Sequence, residues 1–217
     1  MNIPLILYRI SGWTNNFVTI FLVYIAINCK EMWRGRYLFL AINFVYLALL
    51  ELISSATAIL NINNLFLDHL YVPVAFILKT LYLNHEHPSK KIHYFTYLII
   101  FIFVLLQIYV AYDGAGYKKF NAVGSYGSEL FFLSYSFINL TKLFREKTYT
   151  KKLRLNPNFW FTMTIFCRAG FGLVTSILDE LSYEANNDMV LFVLFTSENF
   201  IKAALYFGYF RGMKLLR

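Results

Sequence analysis

The stretch LFTSENFIKAALYFGYF, residues 194–210, sets a carboxylate, Glu198, and an amine, Lys202, one helical turn apart inside a run that otherwise dissolves in hydrocarbon. Each ionisable group at membrane depth costs at least ~2.5 kcal/mol on insertion scales, so an intramembrane charge marks a candidate functional site. The same stretch fixes the fold class. With its flanks, residues 189–210 are long enough to cross ~30 Å of hydrocarbon as a helix.

Working outward, 59% of the chain is hydrophobic, 20% aromatic and only 15% charged, and its mean hydropathy is +0.53. So little polar residue cannot cover a water-soluble globule of 217 residues. The apolar matter divides into seven candidate spans, 10–29, 37–60, 65–83, 94–112, 127–144, 159–178 and 189–210. None alternates with period two as barrel strands do. An all-α, polytopic seven-helix bundle forming one transmembrane domain over residues 1–217 is expected. The first apolar stretch holds Trp13, Asn15 and Asn16 and ends in no A-x-A site, so it is expected to be retained.

Alternate loops sort the basic residues. Lys30, Arg34, Arg36, Lys90, Lys91, Lys142, Arg145, Lys147, Lys151, Lys152, Arg154, Arg211, Lys214 and Arg217 fall on one side, against Arg9, Lys118 and Lys119 on the other. The positive-inside rule then puts the N-terminus out and the C-terminus in the cytoplasm. The formal charge of +8 therefore reads as topology and contact with anionic lipid rather than nucleic-acid binding. Arg145, Lys147, Lys151, Lys152 and Arg154 are the expected contacts for lipid or a cytoplasmic partner. Trp33, Tyr37, Trp160 and Tyr209 suit an interfacial aromatic belt. Cys29 and Cys167 lie at different depths and are expected to be unpaired.

Laid in alternating directions, the spans place Glu51, Asp68, His69, Gln107 and Glu129 in the outer half, with Arg168, Glu198 and Lys202 near the middle. The inner half reads as almost purely apolar apart from Lys79, which is expected to snorkel to the inner surface. Four carboxylates then face two bases, and the excess suggests an outward-facing pocket for a ligand, protons or cations. The competing account is a set of salt bridges between helices, such as Glu198 with Lys202 or Arg168 with Glu51. His69 beside Asp68 offers a proton carrier, half a metal site or, by another reading, an intramembrane hydrolase. A hydrogen bond between helices is the plainer role for His69. No metal set is expected, and His85, His87 and His93 read as a solvated loop. Pro73 frees a carbonyl four residues after His69. No nucleophile elbow, zinc helix or phosphate loop supports catalysis.

The order of a helix-7 lysine, an acid four residues before it and an acid in helix 3 resembles microbial rhodopsins. That resemblance implies retinal on Lys202, with Glu198 and Asp68 as counterions. Arg168 in the middle of helix 6 and His69 in helix 3 depart from that family. The stretches NNLFLDHLYVPVAFILKTLYL (63–83), NPNFWF (156–161) and ENFIKAALYFGYF (198–210) resemble seven-helix membrane proteins of Bacteroidota with a helix-3 His-x-x-x-Pro pattern, here His69 and Pro73. This second resemblance implies the fold and a bacterial inner-membrane location, and needs no cofactor. The expected function is a sensor or ligand-binding membrane module that passes a conformational change to a cytoplasmic partner. A small transporter or channel for protons, cations or a solute is the alternative.

Overall fold

A computed structural model describes the backbone of residues 3–60, 62, 64, 66–85, 87, 89–112, 121–145, 153–184 and 188–217. Within these it describes the side chains of all but residues 3–6, 8, 9, 58, 59, 68, 122, 179–184, 188–192 and 195. Among the described residues the chain is all-α, with seven long helices: α1 (Ile3–Ile27), α2 (Tyr37–Ile59), α3 (Phe66–Asn84), α4 (Lys90–Tyr112), α5 (Ala122–Arg145), α6 (Pro157–Glu184) and α7 (Asp188–Leu216). Each overlaps one expected span, and most run past it, since helical hydrogen bonding does not stop where the hydrocarbon ends. Local chemistry sets the ends. Pro157 opens α6 at the position that tolerates a missing N–H, and the Asn156 Oδ1 accepts from Asn158 N at 2.9 Å as its cap. Gly35, at φ 51°, takes the left-handed turn between the 3-10 turn Lys30–Trp33 and α2.

Stretches Ile10–Ile27, Tyr37–Thr57, Lys90–Tyr112 and Pro157–Leu178 are long and apolar enough to cross a membrane. Glu129 and the small polar residues around it lower the hydropathy of α5. The burial pattern is inverted relative to a water-soluble bundle. Trp13, Phe17, Tyr94, Phe101, Tyr109, Phe137 and Phe207 are all more than half exposed, while Ser11, Asn15, Thr19, Lys79, Thr80, Gln107 and Ser136 are buried. A continuous apolar surface of this kind would drive association in water but is matched to lipid.

Packing closes a ring in the order α1, α2, α3, α5, α6, α7 and back to α1, with α4 docked mainly on α3. One apolar core, from Leu22 of α1 through Phe44, Phe76, Phe103, Phe132 and Phe161 to Tyr206 and Met213 of α7, takes residues from every helix. Helices α6 and α7 approach most closely along Gly208 and Gly212, a small-xxx-small stripe. A Cβ at Gly212 would lie 2.8 Å from the Phe161 ring, and one at Gly208 would overlap Thr164 Oγ1. Asn15 and Asn16 of α1 meet Glu51 and Ser55 of α2, and Ser11 meets Asn199 of α7, toward one end of the bundle, its N-terminal end; Cys29 meets Met213, and Tyr37 meets Asn158, at the opposite, C-terminal end.

Candidate functional site

Helices α3, α5, α6 and α7 converge on a charged cluster midway along the bundle. Arg168 of α6 donates from Nη1 to the Tyr206 hydroxyl of α7 at 2.9 Å and from Nη2 to the Tyr71 hydroxyl of α3 at 3.3 Å. Its guanidinium also lies 5.6 Å from the Tyr206 ring centre. The expected partner Glu51 is not among its contacts. Glu51 instead accepts from Asn15 Nδ2 of α1 at 3.2 Å, because the closed ring sets α2 beside α1 and α3 rather than α6.

Lys79 does not snorkel. Its side chain is 5% exposed, with Nζ 5.1 Å from the Phe132 ring centre and 6.0 Å from that of Tyr71. The physical reason is the direction of α3. Side chains tilt toward a helix's N-terminus, so Lys79 points back toward Tyr71, two turns earlier, and away from the nearer bundle end. Glu129 of α5 lies within electrostatic range of Lys79, Arg168 and Lys202. Among the described residues it forms no contact ion pair with any of them. Its carboxylate rests against the bare Cα of Gly172, where an added Cβ would come within 2.9 Å of Oε1.

Lys202 and Glu198 do pair, at 2.5 Å within α7, with side-chain exposures of 28% and 15%. Lys202 also feels Glu51. The site therefore has two layers. Toward the N-terminal end, Lys202, Glu198 and Glu51 carry a formal charge of −1; in the middle, Lys79, Arg168 and Glu129 carry +1. Once Lys79 is counted inside, Lys79, Arg168 and Lys202 meet Glu51, Glu129 and Glu198 among the described residues, and the expected fourth carboxylate is Asp68. The Asp68 side chain lies outside the described residues, as do Lys147, Lys151 and Lys152. His69 is half-buried near the start of α3.

Gln107 is held apart from this cluster. It accepts from Asn121 Nδ2 at 2.5 Å, while Asn121 Oδ1 caps α5 by accepting from Gly124 N at 3.0 Å, so the amides clamp α4 to α5. The half of the bundle toward the C-terminal end is not apolar as expected. Asn43, Lys79, Thr80, Asn84, Ser136, Thr162 and Thr164 are all buried there. Asn43 Oδ1, Thr80 Oγ1 and Ser136 Oγ have no hydrogen-bond partner among the described residues. Tyr37 and Tyr209 also turn inward from their expected belt positions. Tyr37 donates to Asn158 Oδ1 at 2.5 Å, and Tyr209 is 2% exposed beside Phe44.

Between α3 and α4, His85 is exposed as expected, but His87 and His93 have protein partners. Asn84 joins Tyr135 Oη at 3.0 Å to His93 Nδ1 at 2.9 Å, and His93 Nε2 reaches His87 O at 2.8 Å. The His87 ring stacks on Tyr135 at 6.1 Å. Partial burial, Lys142 and His93 together hold its imidazole below the ordinary 6.5. Cys29 and Cys167 are unpaired, and no cluster of metal-ligand residues occurs among the described residues.

The class this defines is an all-α bundle with membrane-length apolar helices and a cluster of charged side chains midway along it. Neither a family model, nor a curated protein sequence, nor a solved structure matches the chain.

Proposed function

We propose that this is a seven-span protein of the bacterial inner membrane, N-terminus out and C-terminus cytoplasmic, that binds a small monoanion at the Lys79–Arg168–Glu129 layer. The observation that carries this reading is a buried lysine and a half-buried arginine whose direct partners, among the described residues, are tyrosine hydroxyls and aromatic faces. Desolvating each cation costs several kcal/mol. A hydrogen bond to a charged group returns about 1.5–3 kcal/mol and a desolvated cation–π contact about 2. Arg168 is compensated by its two tyrosines, but Lys79 is not. A carboxylate-sized anion bridging Lys79 and Arg168 would neutralise the middle layer and use their free donors. Binding would draw α3 toward α6 and α7, and the basic segment 142–154 would carry that shift to a cytoplasmic partner, as in a sensor.

The transport reading is favoured by a specific feature, the unpartnered polar atoms of Asn43, Thr80 and Ser136 below the cluster, which would line a continuation of the path. Retinal on Lys202 remains the minority alternative, and the Glu198 contact gives this lysine a partner without a cofactor.

The test is thermal unfolding in detergent with sodium acetate, bicarbonate or chloride. At a hundred times its dissociation constant a bound anion adds ~2.7 kcal/mol, or about 5–10 °C for a chain of this size. Lys79→Met should remove that increment. Equal stabilisation of wild type and variant, or none by any of the three salts, would overturn the assignment.

A further inference from the structure

The cytoplasm-proximal end of α5 carries a second, separate feature. An open groove of about 500 Å³ runs along its outward face, lined by Phe137, Ile138, Thr141, Lys142 and Arg145. These residues fall at i, i+1, i+4, i+5 and i+8, one face of a helix. Phe137 and Ile138 are 60% and 55% exposed, and Phe166 of α6 flanks the groove 6.3 Å from the Phe137 ring. The apolar upper half thus gives way within two turns to Lys142 and Arg145 in the last turn of α5.

The dimensions select the occupant. Ile138 and Arg145 are separated by seven residues, about 10 Å of helix. That exceeds the ~5–7 Å headgroup layer on each side of a bilayer, so the groove reaches from hydrocarbon into the phosphate region. Lys142 and Arg145 stand three residues apart on one surface, close enough to share an oxyanion. Among the described residues neither contacts a carboxylate. The Thr141 hydroxyl is already committed to Phe137 O at 2.8 Å. The site therefore offers two cations and an apolar trough in register with a lipid.

We infer that this groove is a specific site for one anionic phospholipid, its phosphate held by Lys142 and Arg145 and an acyl chain lying along Ile138 and Phe137. The inference rests on the seven-span reading, since α5 must cross the bilayer, but it is independent of the anion in the core. A bound lipid here would bear on Lys142, whose charge is felt by His87 in the α3–α4 loop.

The experiment is native mass spectrometry of the detergent-purified protein titrated with phosphatidylglycerol, phosphatidylcholine or glycerol 3-phosphate. Two surface cations contribute about 1 kcal/mol each, so Lys142→Ala with Arg145→Ala should weaken retention of phosphatidylglycerol about 30-fold. Lys90→Ala with Lys91→Ala removes the same charge from the same side and should leave it nearly unchanged. Ile138→Trp, which fills the apolar half while keeping both cations, should also expel the lipid. Equal losses in the two double variants would show diffuse attraction, equal binding of phosphatidylcholine an unspecific annulus, and equal binding of glycerol 3-phosphate a plain anion site; each overturns the inference. Failure of the span itself would appear differently, as reaction of a cysteine at the exposed mid-helix position Ser134 with a water-soluble maleimide in intact membranes.

Discussion

Removing the two members of the Glu198–Lys202 pair singly and together separates a bridge from a binding layer. At 2.5 Å the two charges attract strongly, but the partial exposure of both side chains screens them. Stranding one partner of a fully buried pair costs 3–5 kcal/mol. Here about 2 kcal/mol for each single replacement is the reasoned figure, below that range because of the exposure. Glu198→Gln leaves Lys202 within reach of Glu51, whereas Lys202→Met leaves Glu198 among acids, so the lysine variant should be the worse of the two. Replacing both should cost about 1 kcal/mol or less, giving a coupling near 3 kcal/mol. In detergent thermal scans that is about 4–8 °C lost in either single variant and most of it recovered in the double. Additive losses would refute the pair. Because the anion is assigned to the Lys79–Arg168–Glu129 layer, the double variant should keep its anion stabilisation; losing it would move the site to the pair.

Three further outcomes follow from the geometry. Gly208→Ala drives a methyl into Thr164 Oγ1 and should cost about 1–3 kcal/mol of stability, and adding Thr164→Ala should restore most of it, because the hydroxyl is the obstructing atom. Because the folded chain holds His87 below its ordinary 6.5, the unfolded chain takes up that proton first as pH falls through the sixes. Stability should therefore rise with pH across this window, and His87→Gln should flatten the acid limb of a melting-temperature profile. Single cysteines at Thr150 and Asn186 should differ when an impermeant thiol reagent is added to intact cells, 186 reacting and 150 not; the reverse would invert the membrane orientation.

The helices were legible because a hydrocarbon solvent demands long uninterrupted apolar runs, and each expected span coincides with one helix. The site was legible only in part. Arg168, Glu129, Glu198 and Lys202 are conspicuous as charges in apolar surroundings, and the i, i+4 pair could be read from spacing alone. Lys79 was misplaced because its distance from the helix end suggests snorkelling, while its direction depends on which way α3 runs. Tyr71 and Tyr206 went unnoticed, since tyrosines are common in this chain and nothing in spacing marks the two that face an arginine. Thr80, Ser136 and Asn43 were missed because single hydroxyls and amides barely alter the hydropathy of a span. Gly208 and Gly212 carried a readable signal, a small-xxx-small stripe in an apolar helix.

An experimental density map of the purified protein in acetate is the most direct test of the core assignment. The account predicts non-protein density the size of a small anion between Lys79 Nζ and the Arg168 guanidinium, with Glu129 still resting against Gly172. Lys79 and Glu129 found in direct contact, with nothing between Lys79 and Arg168, would contradict it.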